Sequence, residues 1–103
     1  MYARVSQYRG RPDRVEEGIR HVNSNDISAM EGSRGAYLLV DRQSGEAMTI
    51  TLWDSAEAAQ RTAAAATTLR SAISEAFGDP QPPIVKTYEV AAHFPARGAG
   101  QPA

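Results

Sequence analysis

The stretch AMTITLWDSAEAAQ, residues 47–60, changes its period at the chain's only tryptophan. Up to Trp53 the side chains alternate with a period of two, the pattern of a strand lying between two surfaces. Beyond it, Asp54 or Ser55 offers a capping oxygen, and Glu57 stands three residues after Asp54, where a capping box places its carboxylate. Residues 46–54 are therefore read as a strand running straight into a helix.

Upstream, GAYLLVDR at 35–42 is a second strand, and the loop containing QSGE joins the two into a hairpin in which Gly45 can take a positive φ at little cost. YARVSQYR at 2–9 alternates as a further strand. Pro12 suits a first helical position, Asp13 and Glu16 put negative charge in the first turn, and Val15, Ile19 and Val22 recur at helical spacing, which predicts a helix. NSND at 23–26 interrupts it, and Ile27 with Met30 is expected to add a short helical turn before EGSRG ends the element.

Downstream, Ala59, Ala63, Ala66, Leu69, Ile73 and Phe77 mark one face of a long, mostly alanine helix that Gly78 and Pro80 terminate. IVKTYEVAAH at 84–93 supplies the last strand, and residues 95–103 are expected to form a flexible tail. The order β-α-β-β-α-β predicts one α+β domain over 1–94, a ferredoxin-like antiparallel sheet with both helices on one face.

Such a sheet leaves its other face to be covered. Among 103 residues there are 18 alanines and only 21 Val, Ile, Leu, Met, Phe or Trp. Burial stabilises by roughly 25 cal/mol per Å² of apolar area and alanine has little to give, so a second copy is the expected cover, in a homodimer. A formal charge of −1 without a basic stripe argues against nucleic acid as a partner. The absence of cysteine excludes disulfides, thiolate metal sites and a cysteine nucleophile. No stretch reads as a secretory leader or is long enough to cross a bilayer, so the expectation is a soluble, cytoplasmic protein with no membrane partner.

Strand parity sorts the hairpin into two sets. Ala36, Leu38, Val40, Met48, Ile50 and Leu52 form an aliphatic set expected to face the helices. Tyr37, Leu39, Thr49, Thr51 and Trp53 form the other, joined by Tyr2, Arg4, Ser6 and Tyr8 of the first strand, and this set is expected to line an apolar pocket with a few polar groups. Tyr8, Tyr37 and Trp53 are the candidate substrate-binding residues, and Tyr37, Trp53 and Arg4 the candidates for catalysis. The competing account gives these aromatics only the work of filling a dimer interface.

Arg4 and Arg42 are the candidate anion holders, although Arg42, in VDRQSGE, is expected at a hairpin end among opposite charges. His21 and His93 are too few and too far apart for a three-ligand metal site, and each is expected at a solvated surface. No serine lies in a nucleophile elbow, and the glycines make neither a P-loop nor a dinucleotide fingerprint.

The segment AMEGSRGAYLLVDRQSGEAMTITLWDSAEAAQ, residues 29–60, resembles the antibiotic biosynthesis monooxygenase superfamily. The matching features are a glycine-bounded strand with an aromatic, a D-R-x-x-G-type hairpin, a strand ending in Leu-Trp and a capped helix beginning Ser-x-Glu-Ala. The resemblance implies a dimeric α/β barrel made of two ferredoxin-like subunits, each with a cleft between sheet and helices. It also implies oxidation of electron-rich phenols by dioxygen without metal or flavin. Heme-degrading members carry a histidine and a tryptophan on the second helix and an asparagine on the first strand. Here that helix has neither, and the first strand offers Ser6 and Gln7, so heme is disfavoured and no cofactor is expected. The expectation is thus a homodimer binding a small aromatic metabolite and oxidising it, with Tyr37 and Trp53 shaping the cavity and Arg4 or a tyrosine hydroxyl steadying negative charge. The alternative is a non-catalytic binding or interaction dimer of the same fold.

Overall fold

Four strands pair into one antiparallel sheet in the computed structural model, which describes residues 1–25 and 30–95. They are β1 (Tyr2–Arg9), β2 (Ser33–Val40), β3 (Glu46–Trp53) and β4 (Ile84–Glu89), in the order β2-β3-β1-β4. A 3-10 turn at Pro12–Arg14 leads into α1 (Val15–Asn23), and α2 (Ala56–Arg61) and α3 (Ala63–Phe77) follow β3. This is the ferredoxin-like α+β architecture expected from the sequence. Ile27 and residues 96–103 lie outside the described residues.

Local chemistry accounts for the element ends. Asp41 Oδ1 accepts from the amides of Gln43 (2.9 Å) and Ser44 (3.3 Å), folding the hairpin turn on itself. These bonds hold the Asp41 carboxyl below its ordinary pKa. Gly45 closes the turn at φ +84°, and a Cβ there would meet the Arg11 carbonyl carbon at 2.4 Å, so both the backbone angle and the space demand glycine. Ser55, rather than Asp54, caps α2 by accepting from the Ala58 amide at 3.1 Å, while Asp54 pairs with Arg34 at 2.9 Å. Gly78 ends α3 in the left-handed conformation at φ +80°.

The second helix is not continuous. Thr62 interrupts it, and its hydroxyl donates back to the carbonyls of Ala58 (3.3 Å) and Ala59 (3.1 Å). Such back-bonding competes with the helical ladder, which separates α2 from α3. The packing of α3 is uneven along its length. Ala63, expected on the apolar face, is exposed with Ala64 and Ala65, whereas Ala66, Ile73, Ser74 and Phe77 are buried.

Register corrects the expected assignment of faces. β1 pairs with β3 so that Arg4 opposes Thr51 and Ser6 opposes Thr49, and β2 pairs so that Leu38 opposes Thr49 and Tyr37 opposes Ile50. Directly paired residues share a face. The helix side therefore carries Arg4, Ser6, Tyr8, Thr49, Thr51 and Trp53 together with Ala36, Leu38 and Val40. Met48, Ile50 and Leu52, expected against the helices, lie on the open side with Tyr37 and Leu39. Parity had separated two sets correctly within each strand but joined the wrong halves across the hairpin. The reason is physical: both sheet faces carry apolar residues and the helix side is the more polar, so a period of two identifies two faces without saying which one the helices cover.

Two apolar clusters hold the helices down. Tyr8, Val22, Ala47, Ile73 and Phe77 form one, with Leu38, Val40 and Leu69 against it; Trp53, Ala58 and Ala59 form the other, joined by Met30. Between α1 and α3 the contact is close enough to require glycine, since a Cβ on Gly18 would lie 2.4 Å from Phe77 ring atoms. Gly→Ala inside a helix ordinarily stabilises by about 1 kcal/mol. Here Gly18→Ala is expected to destabilise, by about 1–3 kcal/mol from overpacking. Urea unfolding of the two proteins measures it, and a stabilised variant would mean that α1 and Phe77 are not in this contact.

Candidate functional site

The middle of the helix-facing sheet surface is polar where a structural core would be apolar. Arg4 and Ser6 of β1, Thr49 of β3 and, beside them, Thr51 stand between the two apolar clusters, and Arg4, Ser6 and Thr49 are buried. Over them lies α3, which contributes Ala66, Leu69, Arg70 and Ile73. The space is walled by Trp53, with Met30 beside it, and by Tyr8. This cleft is partly open to solvent and has a volume of about 30 Å³, room for about two waters.

Trp53 is 1% exposed and its position is fixed through hydrogen bonds. The indole Nε1 donates to Thr51 Oγ1 at 2.9 Å, and that hydroxyl donates in turn to the Arg4 carbonyl at 3.4 Å. The Arg4 guanidinium lies over the indole ring, 5.0 Å from its centroid, in a cation–π arrangement, and its Nη2 donates to the Ala59 carbonyl near the end of α2. No carboxylate among the described residues pairs with it. Burial, and then the nearby Arg70 guanidinium, lowers the Arg4 pKa from its ordinary value. Arg70 donates to Thr67 Oγ1 at 3.1 Å on its own helix, and it too has no carboxylate partner among the described residues. Burial lowers its pKa, and the neighbouring Tyr8 acts in the opposite direction.

Tyr8 stacks on Phe77 with ring centroids 6.1 Å apart. Its hydroxyl is buried and has no hydrogen-bond partner among the described residues. Desolvation pushes its pKa up, opposed by the hydroxyls of Thr49 and Ser6 and by the Arg70 charge. The cleft is thus lined by aromatic faces, hydroxyls and two guanidiniums, suited to binding and to stabilising negative charge.

Of the residues singled out from sequence, Arg4, Tyr8 and Trp53 come together here. Tyr37 does not: it is 63% exposed on the opposite sheet face, because its register partner is Ile50. Arg42 pairs with Glu16, as a hairpin-end arginine was expected to. His21 lies on α1 and His93 is exposed beyond β4, and neither lines the cleft. Among the described residues no three His, Asp or Glu side chains gather as metal ligands. Arg70 escaped the sequence reading, although the signal was present, since it stands four residues after Ala66 and three before Ile73 on the same helical face.

No family model matches the chain. The uncharacterized proteins MT2634 and Rv2557, from two strains of Mycobacterium tuberculosis, are each 35% identical to it over 106 residues, an alignment covering 96% of the chain. The chain spans under half, 46%, of the length of these relatives. Among solved structures, a monooxygenase of Streptomyces coelicolor in complex with the ligand Nanaomycin D aligns over 92% of both chains, with a TM-score of 0.73 and 17% identity. A Bordetella bronchiseptica protein provisionally named an antibiotic biosynthesis monooxygenase aligns over 88% of this chain and 97% of its own, with a TM-score of 0.69 and 15% identity. The fold is that of antibiotic-biosynthesis-monooxygenase-like proteins, as the resemblance in residues 29–60 implied.

The orphaned Tyr8 hydroxyl gives a test of this geometry. Removing a buried group that has no partner costs no hydrogen bond, so Tyr8→Phe is expected to unfold at the same or higher urea concentration at pH 7, by up to about 1 kcal/mol. With the folded-state pKa raised, ionisation of the hydroxyl opposes folding, so stability is full below about pH 10 and is lost as pH rises through the folded value. The wild type should therefore lose more stability than Tyr8→Phe between pH 8 and 11. Equal losses would place the hydroxyl in water.

Proposed function

We propose that this chain is an antibiotic-biosynthesis-monooxygenase-like protein that binds a small aromatic metabolite in the cleft beneath α3 and oxidises it with dioxygen, working as a homodimer. The observation that carries this reading is the cleft: Trp53 and Tyr8 wall a cavity on which Arg4, Arg70 and the Ser6, Thr49 and Thr51 hydroxyls converge. Aromatic walls with a few convergent polar groups fit a planar ligand bearing oxygen substituents.

The chemistry needs an electron-rich phenol and oxygen. As the phenol ionises, Arg4 stabilises the charge on its oxygen, and the phenolate carries the electron density that reduces O2. A C–O bond forms at the ring carbon opposite the phenolate, the O–O bond breaks as water leaves, and the carbon becomes a second carbonyl. Phenol plus O2 gives quinone plus water, with the substrate supplying the electrons. The reading assigns no role to heme or flavin, and the cleft offers guanidiniums and hydroxyls in place of an imidazole. A second reading, a non-catalytic interaction dimer, is favoured by the small volume of the cleft, about 30 Å³.

The homodimer rests on the open sheet face. Tyr37, Leu39, Ile84 and Tyr88 are between 46% and 63% exposed there, beside Met48, Ile50 and Leu52 of β3. A contiguous apolar surface of this kind is the usual mark of an interface. Among the described residues no helix is long and apolar enough to cross a membrane, and we place the working dimer in the cytoplasm.

Thermal unfolding with a panel of polycyclic phenols, and with heme and flavins in parallel, tests the reading. A phenol at about 100 times its Kd adds roughly 2.7 kcal/mol, and oxygen uptake with that phenol should follow. Stabilisation by heme or a flavin instead would overturn the cofactor-free chemistry, and a phenol that binds without oxygen uptake would favour the non-catalytic dimer. Light scattering should give twice the mass of one chain. Leu39→Arg should halve that mass and leave the phenol shift in place, because Leu39 and the cleft lie on opposite faces.

A further inference from the structure

The two arginines of the cleft have no carboxylate to neutralise them. All the ion pairs formed by the described residues lie elsewhere: Arg9 with Asp79, Arg11 with Asp13, Arg14 with Glu17, Arg34 with Asp54 and Arg42 with Glu16. Most of these pairs are well exposed, where charge is cheaply solvated. Arg4, by contrast, is 6% exposed and shares one small cavity with Arg70. A buried guanidinium costs several kcal/mol unless something compensates it, and a second positive charge at the same cavity adds to that cost. What compensates Arg4 within the chain is one carbonyl and one aromatic face. Neither carries a full negative charge.

We infer that the cleft selects aromatic acids, holding an ionised carboxylate of the ligand between the guanidiniums of Arg4 and Arg70 while its ring lies among the apolar walls of the cleft. The inference rests on the small-aromatic reading above and narrows it to a charge class. Arginine suits this use because its planar fork matches a carboxylate and stays charged. The orphaned Tyr8 hydroxyl supplies a further donor to the same anion. Ser6 and Thr49 stand beside it with hydroxyls of their own. Thus both guanidiniums and the Ser6, Tyr8 and Thr49 hydroxyls can donate to an anion, and none of the cavity's side chains is itself an anion.

The test uses two probes of one shape, 1-hydroxy-2-naphthoate and 1-hydroxy-2-naphthamide, titrated calorimetrically into the full chain at pH 7. The acid is expected to bind at least about tenfold more tightly than the amide. Arg70→Met should reduce that preference to within about twofold, and Arg70→Lys, which keeps the charge but loses the fork, should restore only part of it. Circular dichroism of both variants checks that α3 is intact. Equal affinity of the wild type for acid and amide overturns the inference while leaving the small-aromatic cleft standing. Failure of both probes to bind at about 1 mM overturns the inference and that reading together. A preference for the acid that Arg70→Met leaves untouched removes Arg70 from the anion site. Because the decisive comparison is between two ligands on the wild type, it does not depend on a variant's folding.

Discussion

Burying the guanidinium of Arg4 at the centre of the sheet is the constraint to which the surrounding structure answers. A charge in that place needs partners, and each is supplied by a different element. β3 ends in Trp53, whose ring lies under the guanidinium. Thr51 fixes that ring through its indole N–H. The early end of α2, imposed by Thr62, leaves the Ala59 carbonyl where Arg4 can reach it. A cation is also favoured at a helix C-terminus, where the peptide dipoles leave partial negative charge. The apolar core is correspondingly split, with one cluster around Phe77 and another around Trp53, and the polar strip between them is what makes a cleft of the space under α3.

The chemical character of that strip limits what it can do. Arg4, Arg70 and Tyr8 hold their protons across the neutral range, and the serine and threonine hydroxyls are weak acids and weak bases. Such groups orient and stabilise but do not accept protons near pH 7. On the proposed reading the substrate brings its own acidity, as a phenol whose ionised form is the electron donor does. The fold itself leaves the choice of reaction open, because one scaffold serves many chemistries and only the site distinguishes them.

Nearly all of the architecture was legible in the sequence, because the signals involved are local. Alternation at Tyr2–Arg9, the Gly45 turn, the cap after Trp53 and the Gly78 stop each act within a few residues. The site was legible only in part, since it depends on which strands pair and which face the helices cover. Trp53, Tyr8 and Arg4 were correctly grouped because they share parity across two directly paired strands. Tyr37 was misplaced because the hairpin register sets it opposite Ile50. Arg70 was passed over because a charged residue on an alanine helix reads as solvent-facing until a buried partner across the cleft is known. The expectation that aliphatic residues face the helices failed for a related reason: the open sheet face is the more aliphatic of the two.

Uneven packing along α3 has a mechanical meaning. Phe77 and Ile73 grip one end of the helix, and Gly18 lets α1 close on Phe77 without a gap, whereas Ala63, Ala64 and Ala65 at the other end touch little. Methyl side chains bury so little area that the free energy resisting local opening falls from the Phe77 end toward Thr62. Arg70 stands between these two regimes, on the stretch of helix where methyl groups give way to large buried side chains.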